Sequence, residues 1–248
     1  MGLTLEEGLL CLAEAPGTFI KPRLDVISAR LNRYIGELER FNPAYGLVKV
    51  KSREELVTRH ILDSLAPLGI IRGLLGTGDP PAHSADVGSG AGLPGIPLAI
   101  ALPEFRFTLI ERMGRRAGFL RNTVAVLALD NVAVEEVEME RAAPGRFKLL
   151  CFRAFRPLEP SLLRSLFRLS IPGGLIAAYK GRLETIRAEL AALAPAGGTP
   201  EILPCPAPGL DEERHLVLLR NTPAQCQILE LAHSTKLFPC RMGNRELR

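Results

Sequence analysis

The sequence predicts an α/β fold with a mostly parallel sheet, and three observations predict it. From residue 83 onward, seven short β-prone runs alternate with helical stretches, the texture of right-handed βαβ units. The first run ends in a glycine-rich turn that opens a helix, and the second ends in an acid, Glu111. The segment ahead of them reads as helix, with apolar residues at three- and four-residue spacing.

In that first segment Leu24, Ile27, Leu31, Ile35 and Leu38 form the stripe of an amphipathic helix. Pro43 disfavours the α region at Asn42, so this helix is expected to break at Phe41-Asn42-Pro43. Ser52 and Glu55 form a capping box that opens a second helix through Leu56, His60, Ile61, Leu62 and Leu65. Residues 68–82 are rich in Gly and Pro and read as a connector. Strands are expected at Ser84–Val87, Arg106–Glu111, Asn131–Val137, Phe147–Phe152, Gly174–Tyr179, Glu201–Pro204 and Arg214–Arg220. Helices are expected near Pro94–Ala101, Arg115–Leu129, Glu159–Leu169 and Arg182–Leu193. The short link around Asp211 makes the last two strands an antiparallel pair at one edge, and a short helix is expected near residues 224–232. The divisions are a helical N-terminal cap (1–66), an α/β domain (67–220) and a C-terminal tail (221–248).

Composition excludes several classes. At 248 residues, with 47% hydrophobic and 23% charged side chains, the chain can bury a large core without disulfides. Disorder and coiled coil are ruled out. The net charge of +4 permits a polyanionic partner without demanding one, and a non-specific nucleic-acid binder would be more basic and richer in aromatics than a chain with no Trp and three Tyr. The five cysteines and four histidines show neither Cys-x-x-Cys pairs nor ligand spacing, so no metal is expected, and reduced thiols point to the cytoplasm. Apolar runs such as Gly92–Leu102 fall short of the ~18 residues a membrane span needs.

Asp86-Val87-Gly88-Ser89-Gly90-Ala91-Gly92-Leu93-Pro94-Gly95 carries the clearest local signal. Glycines let backbone approach a ligand, and the helix start offers N–H groups. Gly90 to Gly95 literally satisfies the dinucleotide pattern G-x-G-x-x-G. Yet Asp86 just ahead, with glycines at 88, 90 and 92, suits S-adenosylmethionine (SAM) better, because SAM has an ammonium in need of an acceptor and no pyrophosphate. Glu111 suits a ribose diol in either cofactor.

A set of motifs then resembles one family. Arg59-His60-Ile61-Leu62-Asp63-Ser64-Leu65, the turn with Leu93-Pro94-Gly95, Gly114-Arg115-Arg116 with Phe119-Leu120-Arg121, Arg153-Ala154, Pro172-Gly173-Gly174 and Lys180-Gly181 stand in the order of the RsmG (GidB) family, from about Phe41 to Arg220. That resemblance implies a SAM-dependent guanine-N7 methyltransferase of bacterial 16S ribosomal RNA. It also implies a class I, Rossmann-like fold of seven strands under a helical cap. Carried over, Gly88 and Leu93 line the SAM site, Met139 and Glu140 flank adenine, Glu111 holds the ribose, and Arg153 stands at the fourth strand's end facing the reaction. The chain departs from the family at Gly46 and Val48 (usually Asn and Thr), at Glu138-Met139-Glu140 (usually Arg-Ala-Glu or Arg-Val-Glu), and at Lys148 and Phe152 (usually Asp and Ser).

Guanine N7 has an in-plane lone pair and no proton, so its methylation needs positioning more than a base. Arg153 suits a planar contact to guanine O6 or a phosphate. His60 and Asp63 read as anchors of cap to core rather than as a catalytic base. Arg112, Arg115, Arg116 and Arg121, with Lys180, are expected on the ligand-facing rim as phosphate contacts. The expected partner is 16S rRNA or the small ribosomal subunit, met by a monomer. The alternatives are a methyltransferase acting on another acceptor, an NAD(P)-dependent oxidoreductase, and a non-catalytic rRNA-binding module.

Overall fold

The computed structural model describes residues 3–79, 81–153, 157–193 and 200–222. The cap opens with α1 (Leu5–Glu14), where Thr4 and Glu7 close a capping box. Helix α2 (Leu24–Tyr45) buries Ile27, Leu31, Tyr34, Ile35 and Leu38, the expected stripe. It does not break at Asn42. Pro43 sits in the last turn, where little helix remains to be disrupted, and Asn42 Oδ1 accepts the Val48 N–H at 2.9 Å. Gly46, at φ 57°, ends the helix in the left-handed region.

A second helical run passes through three registers: α3 (Arg53–Leu56), a π-turn (Val57–Leu62) and α4 (Asp63–Leu65). Its capping box is half formed. Ser52 accepts from the Glu55 N–H, but Glu55 Oε2 accepts from Lys51 at 2.7 Å instead of from Ser52. The expected connector is in fact α5 (Leu68–Leu75) along most of its length. Leu68, Ile71 and Leu75 share one buried face, and that burial outweighs the low helix propensity of Gly69 and Gly73. Gly69 is required there, since a Cβ would stand 2.2 Å from the Pro16 carbonyl.

The α/β part holds β1 (His83–Val87), α6 (Gly95–Ala101), β2 (Arg106–Ile110), α7 (Gly114–Leu127), β3 (Val132–Glu135), β4 (Phe147–Arg153), α8 (Pro160–Leu169), β5 (Ser170–Lys180), α9 (Leu183–Leu193), β6 (Glu201–Pro204) and β7 (His215–Arg220). The sheet order is β3-β2-β1-β4-β5-β7-β6. Strands β1 to β5 run parallel, and β7 pairs antiparallel with both β5 and β6. All seven expected strands are present. β5 begins four residues early, because Ser170 pairs with Phe147 ahead of a register shift. The helix expected near 224–232 lies outside the described residues.

One sheet face packs on α6, α7 and the cap in a single apolar cluster, and the other packs on α8 and α9. Both edge strands are only four residues long and carry Glu135 or Glu201. The chain order reverses between β1 and β4, which places the switch-point crevice at their carboxyl ends.

Candidate active site

The turn after β1 is held by its backbone N–H groups. Gly88 and Ser89 donate N–H bonds to the Ile110 carbonyl, Gly92 and Leu93 donate to the Ser89 carbonyl, and Gly90 donates to Glu111 Oε2 at 2.9 Å. Gly88, Gly90 and Gly92 all have positive φ (69°, 58° and 92°), so the path admits glycine. A Cβ on Gly92 would also meet Ile96 Cδ1 at 2.4 Å.

Asp86 lies beneath this turn, buried. Its Oδ2 accepts from Ser89 Oγ at 2.7 Å and from the Gly95 N–H at 3.0 Å, while Oδ1 has no hydrogen-bond partner. Burial pushes its pKa up to about 6, against the pull of the Ser89 and Gly95 bonds. The N–H groups expected to face a ligand are thus mostly spent on acceptors in the turn itself, in β2 and on Glu111. A pyrophosphate would have to displace them. A ligand with an ammonium and no phosphate does not, and the unpartnered Asp86 oxygen is a polar site that such a ligand suits.

Beyond the ends of β1, β2 and β3 opens a cavity of about 150 Å³. Gly88, Glu111, Met139 and Glu140 line it, together with Arg112 and Arg116. Glu111 is buried and accepts from Met113 N–H through Oε1 (2.9 Å) while its Oε2 holds Gly90, so one carboxylate ties the two turns together. Met139 sits on a short 3₁₀ turn held by Arg168 Nη2 on its carbonyl at 2.8 Å. Ile110, Met113 and Val137 also line the cavity; only their place at strand ends could have marked them.

Leu93 and Gly92 are buried supports of the turn and do not line this cavity, and neither do Gly90 and Asp86. Arg115 lies over the Tyr45 ring at 5.5 Å. Arg121 is ion-paired with Glu136 at 2.9 Å on the outer face of α7. No hydrogen bond or ion pair is found for Arg112 or Arg116 among the described residues.

A second cavity, about 370 Å³, lies past the ends of β4 and β5 and the start of β7. Arg153, Tyr179, Lys180, Arg214 and His215 line it from the sheet side, and Arg59, His60 and Asp63 from the cap. Lys180 is paired with Glu189 at 2.6 Å, and Arg59 with Glu55 and Glu212. His60 and Asp63 do not pair with each other; both bond Arg153. Burial, and the Arg153 charge after it, hold the His60 pKa down to about 4. Cys205 also lines the cavity, its thiol pushed up to about 11 by burial. Arg214 and His215 were legible only as a strand start. Lys148, one of the departures, donates to the Leu75 carbonyl at 2.6 Å and so caps α5.

Residues 27–202 match the model of the family described as rRNA small subunit methyltransferase G. The chain belongs to this family. The ribosomal RNA small subunit methyltransferase G of Treponema pallidum (strain Nichols) is 39% identical over 201 residues, covering 79% of this chain and 86% of that protein. The protein of the same name from Xanthomonas campestris pv. campestris (strain 8004) is 40% identical over 196 residues, covering 78% and 87%. Among solved structures, a putative O-methyltransferase from Klebsiella pneumoniae superposes with a TM-score of 0.51 at 19% identity, covering 78% of this chain and 90% of that one. A SAM-dependent methyltransferase from Aquifex aeolicus gives 0.50 at 18%, covering 65% and 92%. The fold is that of the class I methyltransferases. Membership in the methyltransferase G family sets aside the oxidoreductase reading of Gly90–Gly95.

Proposed function

We propose that this member of the methyltransferase G family transfers the methyl group of SAM to N7 of a guanosine in small-subunit ribosomal RNA. The observation that carries it is the pair of cavities on one sheet edge, flanking the switch point between β1 and β4. The first is built for adenosine, with Glu111 for the ribose and Met139 against the base. The second is lined with guanidinium donors that suit an acceptor nucleotide.

When bound, SAM supplies an electrophilic methyl on its sulfonium. The chain's own work is positioning. Gly88 and Glu111 fix the nucleoside end, and Asp86 gives its carboxylate to the methionine end at pH values above about 6. Arg153, at the end of β4, donates to acceptor oxygens, guanine O6 or phosphate, and holds N7 in line. N7 has no proton to lose, so the site requires no general base. The neutral His60 ring therefore serves to hold Arg153. Arg112 and Arg116 in the first cavity, with Lys180 in the second, are the phosphate contacts this reading favours.

The test incubates small subunits, and separately deproteinised 16S rRNA, from a strain lacking its own N7 methyltransferase with this chain and methyl-labelled SAM. Label in 7-methylguanosine is the expected result. SAM binding by calorimetry without label would mean another acceptor or a non-catalytic rRNA-binding module, and neither binding nor label overturns the reading. The double variant Arg112→Ala/Arg116→Ala is expected to lower the salt dependence of RNA binding by about two counterions, measured as the slope of log K against log salt.

A further inference from the structure

One carboxylate in the second cavity holds two arginines from distant parts of the chain. Asp63 Oδ2 accepts from Arg153 Nη1 at 2.9 Å, and Oδ1 accepts from Arg214 Nε at 3.0 Å. The Asp63 side chain is 7% exposed, and the three residues come from α4, the end of β4 and the approach to β7. A π-turn directly precedes Asp63, a rare geometry that is frequent at functional sites.

Arg153 is fixed further. Its Nη1 lies 3.3 Å from the carbonyls of Arg59 and His60, and its Nη2 lies 3.0 Å from His60 Nδ1. An arginine only donates, so His60 Nδ1 is the acceptor of that bond. A guanidinium has five N–H donors. Neither Arg153 Nε nor Arg214 Nη2 has a partner among the described residues, and both side chains line the cavity.

We infer that Asp63 is a positioning residue that presents Arg153 and Arg214 as a spaced pair of clamps, and that Arg214 is a second acceptor-contacting residue of the methyl transfer. This rests on the methyltransferase reading above. Two guanidiniums side by side repel unless a carboxylate stands between them, and a carboxylate accepts on both oxygens where an amide does not. The oxygens of a guanosine nucleotide, O6 and phosphate, are the acceptors such a pair fits.

The experiment measures kcat and KM for RNA, with SAM affinity and melting temperature, in wild type, Asp63→Asn, Arg214→Gln and Arg214→Lys. Asn must release one arginine, so kcat is expected to fall about 100-fold at unchanged SAM affinity. Arg214→Gln is expected to lower kcat about tenfold, and Lys to restore KM but not kcat, because it keeps the charge and loses the Nε bond to Asp63. Wild-type kcat in a folded, SAM-binding Asp63→Asn protein overturns the positioning role. Unchanged kcat and KM in Arg214→Gln overturn the second contact, and that part-buried variant decides the matter if Asp63→Asn does not fold. A wild type that makes no 7-methylguanosine fails the underlying reading instead.

Discussion

The two halves of the ligand-facing sheet edge are built on opposite principles. The β1–β3 half is a backbone construction: a glycine turn whose N–H groups are satisfied within reach of 25 residues, latched by Asp86 and Glu111. The β4–β7 half is a side-chain construction, with charges from residues 59–63, 153 and 214 meeting around one carboxylate. The first is rigid and intolerant of size. The second is rigid only while its charges balance. A cofactor common to many enzymes suits the first design, and a particular acceptor suits the second.

The sharpest way to break this contrast is Gly92→Val. A side chain there needs φ near 92° and collides with Ile96, so a loss of about 3 kcal/mol or more is expected, with no detectable SAM binding by calorimetry. A turn that accepts valine would deny that backbone shape governs this half.

Each half also has a group with a pKa shifted within the range of pH 4 to 6.5, and the two act in opposite directions. Asp86 has its folded pKa raised from 3.8 to about 6, so the folded chain binds more protons than the unfolded between those values and stability falls as pH rises through that window. His60 has its folded pKa lowered from 6.5 to about 4, so there the unfolded chain binds more protons and stability falls as pH drops through that window. Removing Asp86 with Asn is expected to make stability rise more steeply between pH 4.5 and 6. Removing His60 with Gln is expected to flatten or reverse the slope. Urea midpoints at the two pH values read this, at on the order of 1–3 kcal/mol for buried Asp86 and less for half-buried His60, where solvent screens. Parallel slopes in the two variants would refute the opposition.

A smaller effect joins the cap to the first half. The buried Tyr34 hydroxyl, on α2, donates to the Ala91 carbonyl within the glycine turn at 2.7 Å. Tyr34→Phe is expected to cost about 1–2 kcal/mol and to weaken SAM binding severalfold. If SAM affinity is unchanged, the cap does not brace the turn. Smallest is Lys148→Met, which removes the cap on the α5 carbonyl and is expected to cost less than about 1 kcal/mol in a thermal melt, with methylation unchanged.

The same contrast explains what the sequence made legible. The seven strands and the antiparallel edge follow from short-range pattern, and the residues Gly88, Glu111, Met139 and Glu140 that line the first cavity from pattern or motif, because each sits close beyond a strand that periodicity finds. Arg214 was not legible: its meaning depends on Asp63, 151 residues away, and nothing local marks it. Asp63 and His60 were read as anchors and do join cap to sheet, yet through Arg153, which only the folded chain brings to them. The two misread helices had one cause. Burial of Leu68, Ile71 and Leu75, and the late place of Pro43 in α2, overrode the local penalties of Gly and Pro.

The short outer strands have a consequence for association. A sheet edge is a template on which another chain can add a strand, and the liability grows with its length and flatness. Here β3 offers four residues ending in Glu135, itself paired with Arg146, and β6 offers four bounded by Glu201 and Pro204, whose ring has no N–H to give. Strand addition at either side would gain few hydrogen bonds and would meet buried or repelled charge. Contacts with other macromolecules are thereby steered away from the flanks of the sheet and toward its carboxyl rim, where Arg112 and Arg116 have no ion-pair partner among the described residues.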